Sequence, residues 1–306
     1  MQRFFKSFEV SMDIIAKMVM SIAGIPQPWV LSIDRTNWSF GKTEFNILML
    51  SVVHEGIGYP LMWTMLEKKG NSNSTERMDL LERFEHLFPD TEIAYLTGDR
   101  EFIGKSWLSY LMMDKPIPFR LRIRQSDKIS TGPGQPAIAG SHLFRSLAIG
   151  ETRILSGKRW VWGRPVYVIG TRLEPQQKSQ KTDDDFLIII TSHEPDTALI
   201  DYARRWGIET LFGALKTRGF CLESTHFNDN VRLSKLLALL AIAFVWAMKA
   251  GLWRHIQKPI RIISAHGRRA RSLFRYGFDL LRRFFISPPP SLLLSEFSPI
   301  HFLSCT

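Results

Sequence analysis

Tyr202, Arg205, Glu209 and Lys216 are spaced so that a single helix running from near Pro195 to Gly219 would gather them. At about 100° per residue they share one stripe roughly 60° wide. Ile208, Leu211, Phe212 and Leu215 form the adjacent stripe, which would face a core. One carboxylate among three groups that bind anions suits a metal ligand beside a phosphate chain. A solvated face with an ordinary helical ion pair is the other reading of the same spacing. Gly213 falls on the polar stripe, where a glycine loses roughly 1 kcal/mol against alanine. A bulky ligand is therefore expected to approach bare backbone at that point.

Two further carboxylates end apolar runs that read as strands. Asp34 follows Trp29-Val-Leu-Ser-Ile, and Asp99 follows Glu92-Ile-Ala-Tyr-Leu-Thr-Gly. Open α/β sheets collect their sites at the carboxyl ends of strands. Asp34, Asp99 and Glu209 together would repel one another unless a hard divalent cation such as Mg²⁺ lay between them. Two such ions about 3.5–4 Å apart activate a water or 3′-hydroxyl on one side and stabilise the leaving oxygen on the other. Taken singly, each Asp has a capping or structural role as its alternative.

The elements that must position these residues follow from pattern. Residues 1–24 read as an amphipathic helix, Glu44–His54 and Tyr59–Leu66 as strands joined by a hairpin loop, and Asn73 with Glu76 as a helix cap. A helix is expected from about Phe102 to Met113. Phe119-Arg-Leu-Arg-Ile-Arg124 alternates as a fifth strand with a basic outer face. Three consecutive strands, then helix, strand, helix and strand, make an α/β arrangement with a mixed sheet flanked by helices. Residues 125–185 form a β-rich insertion before the chain re-enters the core at Phe186. The organisation is then 1–28, an N-terminal helix; 29–124 with 186–220, a catalytic core; 125–185, the insertion; 221–285, a helical basic region; and 286–306, a flexible tail.

The chain has 306 residues, 45% of them hydrophobic, enough for one large core and an appendage. Forty Lys and Arg against 29 Asp and Glu leave +11, a balance that favours a polyanion, nucleic acid before membrane. Arg268, Arg269 and Arg271 lie in the densest basic stretch and are candidates for phosphate contacts. Cys221 and Cys305 are far apart and lack metal spacing, so a disulfide framework and a zinc site find no support. Neither a P-loop nor a Gly-x-Gly-x-x-Gly stretch occurs, against an ATPase or dinucleotide enzyme. The longest apolar run, Leu236 to Met248, is shorter than the roughly 20 residues that span a bilayer. The expected compartment is the cytoplasm.

Ser32-Ile-Asp34-Arg-Thr-Asn-Trp38, Leu96-Thr-Gly-Asp99-Arg-Glu-Phe102 and Tyr202-x2-Arg205-x3-Glu209-x6-Lys216 together resemble the DDE transposases of bacterial insertion sequences, in the branch marked by a Tyr-Arg-Glu-Lys signature. The likeness runs from about Trp29 to Phe220. It implies a ribonuclease-H-like core, DNA cleavage and strand transfer at insertion-sequence ends, and dimeric synapsis of double-stranded DNA. It further implies that Asp34, Asp99 and Glu209 hold two Mg²⁺ ions, with Mn²⁺ a substitute, and that Tyr202, Arg205 and Lys216 contact DNA phosphates. Some relatives stack a flipped base on an aromatic in the insertion, and Trp160 and Trp162 are candidates for that role. Ordinary packing within a small β unit is their alternative. Only 33 residues precede Asp34, where relatives carry an end-recognition region. The expectation is either truncation or a recognition role for the first helix and the basic C-terminal third. A non-catalytic DNA-binding or dimerising inhibitor and a nuclease without strand transfer are the rival functions.

Overall fold

The computed structural model describes residues 2–41, 43–175, 184–264, 267–287 and 299–303. Two helices open the chain, α1 (Gln2–Ser7) and α2 (Met12–Ala23). The Ser11 hydroxyl caps α2, and Gly24 closes it in the left-handed conformation that glycine tolerates. Strands β1 (Trp29–Phe40), β2 (Thr43–His54) and β3 (Ile57–Met65) follow as an antiparallel meander. Helix α3 (Ser74–Leu87) starts at a reciprocal capping box between Asn73 and Glu76, as their spacing predicts. Next come β4 (Ile93–Gly98), α4 (Lys105–Ser109) with a π-type turn over Tyr110–Asp114, and β5 (Phe119–Ile123).

The stretch after β5 contributes β6 (Lys128–Ile129), β7 (Ile138–Ala139), α5 (Gly140–Phe144), β8 (Thr152–Ile154), β9 (Arg159–Val161) and β10 (Arg164–Arg172). The chain then runs through β11 (Phe186–Thr191), α6 (Ala198–Ala203), α7 (Trp206–Leu215), α8 (Asn230–Gln257), β12 (Ile262–Ile263), β13 (Arg268–Arg269) and α9 (Leu273–Ile286). The main sheet has the order β3-β2-β1-β4-β5-β11-β10-β8, with β9 paired to β10. Strands β1, β4 and β5 are parallel and their outer neighbours antiparallel. The fold is a ribonuclease-H-like mixed α/β sheet.

Alternation along β2 separates two cores. Leu48, Leu50 and Val52 pack on the side of α3 and α4, while Phe45, Ile47 and Met49 pack with α7, α8 and α9. Helix α8 is longer than its apolar run. Asp229 caps its start, and by length and apolar content it could cross a membrane, yet half of its most apolar window is buried against neighbours that include α2, β3 and α9. Gly251 and Gly277 let α8 and α9 cross so closely that a Cβ at Gly277 would collide with the Ala247 carbonyl.

Two expectations are corrected. The helix expected from Pro195 to Gly219 is broken into α6 and α7. Around Arg204 and Arg205 the amides of residues 204, 205, 207 and 208 all bond three residues back, which overwinds the chain there, although Arg205 still reaches both Tyr202 and Glu209. In addition, the arginine face of β5 is an outer face only in part: α6 packs over fully buried Arg120, while Arg122 is half-buried and Arg124 exposed. Of the expected C-terminal tail, residues 288–298 and 304–306 lie outside the described residues.

Candidate functional site

Strand β1 does not stop at Asp34. It pairs with β4 in parallel as far as Ile33 opposite Gly98, then continues against β2 to Phe40. Asp34 and Asp99 are the next residues on the two strands, so they emerge side by side where the parallel pair opens. The Asp34 Oδ1 accepts from the Arg35 amide at 2.7 Å, and the Asp99 Oδ1 accepts from the Glu101 amide at 2.8 Å. Arg35 ties these two segments together: its Nε and Nη2 donate to the two Glu101 oxygens at 3.1 and 3.4 Å, and its Nη1 donates to Asn46 at 3.0 Å. Such a forked pair fixes the loop behind Asp99 against β1.

Glu209 arrives from the far end of the sheet order. Helix α7 lies on the meander because Gly58 and Gly207 meet backbone to backbone; a Cβ on either would stand about 3 Å from the other's main chain. That approach brings Arg205 between two carboxylates. Its Nη1 donates to Asp34 Oδ2 at 3.2 Å and its Nη2 to Glu209 Oε1 at 2.8 Å. Burial would lower the guanidinium's pKa, but Tyr202, Asp34 and Glu209 hold it above its ordinary value. Burial pushes the Asp34 carboxyl up to about 7; Arg205 opposes this, while Asp99 and Glu209 add to it.

The donors are three carboxylates, the oxygen-only chemistry that hard divalent ions prefer. Among the described residues no three acidic, histidine or cysteine side chains converge closely enough to hold one ion. The arrangement fits a cation if Glu209 leaves Arg205 and turns to the Asp34–Asp99 pair, whose mutual repulsion a cation would relieve.

The other expected site residues fall in different settings. Tyr202 is buried, with its hydroxyl unpartnered and the Arg205 guanidinium 5.8 Å above its ring. Lys216 is no open surface cation: its Nζ donates to the Asn37 carbonyl at 3.0 Å and pairs with Glu223 at 3.1 Å. Gly213 is not bare either, since Arg218 Cδ would lie 3.3 Å from a methyl placed there. Trp160 and Trp162 are half-buried and line a cleft of about 480 Å³ with Ser126, Asp127, Lys128, Ser130 and Gly132–Gly134. Arg269 is exposed, and Arg271 pairs with Asp279 at 3.5 Å; the side chain of Arg268 lies outside the described residues.

Several charged groups around the site escape sequence reasoning. Arg35 and Arg100 each directly follow a candidate Asp, and that repeat is the signal that could have found them. Arg77, buried beneath the same loop, donates to the Ile103 carbonyl at 3.3 Å. Asp184 accepts from Arg100 and Arg122, and no local pattern pointed to it.

A family model described as "Transposase DDE domain" matches residues 25–246. No curated protein matches significantly. Among solved structures, a piggyBac transposase synaptic complex with hairpin DNA is similar at 12% identity and a TM-score of 0.44, over 91% of this chain and 56% of that one. The chain thus spans little more than half the length of that relative. The catalytic domain of human Endonuclease V is similar at 15% identity and a TM-score of 0.31, over 74% of this chain and 86% of that one.

Proposed function

The chain belongs to the DDE-domain transposases, and from that premise we propose that it cleaves DNA at the ends of a bacterial insertion sequence and transfers the freed strand. DNA is the substrate of this family, and divalent metal ions are its usual cofactors. The observation that carries the reading is Arg205, which spans Asp34 and Glu209 beside Asp99. A three-carboxylate site in a basic protein suits phosphodiester chemistry better than a structural ion pair does.

Asp34, Asp99 and Glu209 are the groups we assign to hold two Mg²⁺ ions, with Mn²⁺ as a substitute. Bound there, the ions would supply the activation of a water or 3′-hydroxyl and the stabilisation of the leaving oxygen. Arg205 holds Asp34 and Glu209 in register until DNA arrives, when a phosphate can take its guanidinium. Tyr202, behind that guanidinium, is assigned to the same phosphate. Lys216 anchors the end of α7 to β1 and adds positive charge to that rim. The core of 29–124 and 186–220 would carry the chemistry, Trp160 and Trp162 in the 125–185 insertion would stack an unpaired base, and Arg268, Arg269 and Arg271 would hold DNA outside the site. The working form is a homodimer on paired ends, acting on cytoplasmic DNA.

The test is a strand-transfer assay on a plasmid carrying the DNA that flanks the reading frame on both sides. Joining of the 3′-hydroxyl end to a target in Mg²⁺ is the expected result. Release of cut ends without joining would favour a nuclease, and binding without cleavage would favour an inhibitor.

A further inference from the structure

Beside the three carboxylates stands a charge arrangement that they do not explain. Arg100, the residue after Asp99, donates through Nη1 to Asp184 Oδ2 at 2.6 Å. Arg122, on β5, donates through Nη2 to the same oxygen at 2.9 Å. Asp184 is buried, whereas the two arginine side chains keep 32% and 22% exposure. One oxygen between two guanidinium groups is the setting of a non-bridging phosphate oxygen. Donors are also left over nearby. The Arg122 Nε is buried without a partner, and the buried Tyr202 hydroxyl has only the Arg205 guanidinium beside it, with Arg122 and Asp99 within electrostatic reach. Buried donors without acceptors are uncommon and call for an explanation.

Asp184 enters from the root of the insertion. Its neighbour Asp185 accepts at its carbonyl from the Leu173 amide at 2.8 Å, just before β11 starts. The carboxylate therefore comes from a different part of the chain than either arginine, and both guanidinium groups reach it through side chains alone.

We propose that Arg100 and Arg122 form a seat for a backbone phosphate of DNA, and that Asp184 occupies this seat in the free protein as an internal substitute for it. The inference rests on the transposase reading above and deepens it by naming a DNA contact and what covers it. DNA entering the site displaces Asp184, exchanging one anion for another on the same two arginines. The exchange weakens non-productive DNA binding, because the seat is already neutralised in part.

A fluorescently labelled DNA duplex of mixed sequence, titrated against the full chain over a range of salt, tests this. Asp184→Asn should bind the duplex more tightly, on the order of tenfold, since it frees two arginines and removes a negative charge. Arg100→Gln with Arg122→Gln should bind more weakly, with a log–log salt slope shallower by about 0.9, the value of one phosphate contact. In that background Asp184→Asn should no longer tighten binding. A folded Asp184→Asn protein that binds no tighter than wild type overturns the proposal and makes Asp184 a structural clamp. Should Asp184→Asn fail to fold, Arg100→Gln alone decides, and an unchanged salt slope rejects the seat. Wild-type chain that leaves the flanking-DNA plasmid uncut would sink the transposase reading itself, whereas a cleaving wild type with an indifferent Asp184→Asn sinks this inference alone.

Discussion

Arg120 and Arg269 carry the same charge, yet Arg120, on β5, is fully buried beneath α6 while Arg269 stands exposed between α8 and α9. Arg120 donates to Asp201 through Nε and Nη2, both at 3.2 Å, and to the Thr191 hydroxyl at 2.7 Å, and it lies 5.0 Å from the centre of the Tyr95 ring. Arg35, Arg77 and Arg205 are likewise held inside the core by named partners. The basic C-terminal stretch has looser pairs, such as Arg271 and Arg275 sharing Asp279. The excess positive charge thus stands in two settings. Around the carboxylates it is held by close partners, and at the C-terminal end it is exposed or loosely paired.

The largest difference should appear on removing Arg120. Arg120→Met strands Asp201 and should cost about 3–5 kcal/mol, the scale for breaking a buried pair. Arg269→Gln should stay within about 0.5 kcal/mol. Denaturant midpoints of the two variants measure the contrast, and equal shifts would erase it.

Asp34 offers the next effect. Its carboxyl sits at about 7 in the fold against an ordinary 3.8. A raised value means that the contribution is complete below the unfolded pKa and is lost as pH rises through about 7. Without metal, stability should therefore fall as pH rises from about 4 to 7, by an amount on the order of 2–4 kcal/mol from this group. Asp34→Asn should flatten that portion of the profile; an unchanged slope would assign it elsewhere.

Gly207→Ala should be milder, about 1–3 kcal/mol, because the methyl meets Val53 Cγ1 at 2.8 Å and the Gly58 amide at 3.0 Å. Since this contact aims Arg205, activity should fall more than stability. Gly213→Ala is the smallest change. Its methyl has only the flexible Arg218 stem to shift, so the melting point should hold or rise by up to about 1 kcal/mol in stability.

Candidate residues were more legible in the sequence than the geometry that holds them. Spacing alone linked Tyr202, Arg205, Glu209 and Lys216, and apolar runs marked Asp34 and Asp99 as strand-end carboxylates. The period of β2 and the cap at Asn73 were also legible, because both are local patterns. The overwinding at Arg204–Arg205 was not, since no residue pattern across 198–208 marks a change of helical pitch. Nor was the burial of Arg120. An alternating arginine strand reads as solvent-facing until Asp201 and Glu194, from some 75 to 80 residues further along, arrive to pair with it. Asp34 likewise seemed to end its strand because apolar content stops there, although backbone pairing with β2 continues.

We propose that Asp34, Asp99 and Glu209 form one DNA-cleaving centre. Cleavage of the flanking-DNA plasmid in Mg²⁺, with duplex affinity measured alongside, tests it most directly. Asp34→Asn, Asp99→Asn and Glu209→Gln should each lose on the order of 10²–10³ or more in rate, the scale for removing one charge-stabilising group, while DNA affinity stays level or rises. Near wild-type cleavage by any one of the three would remove that residue from the centre and contradict the account.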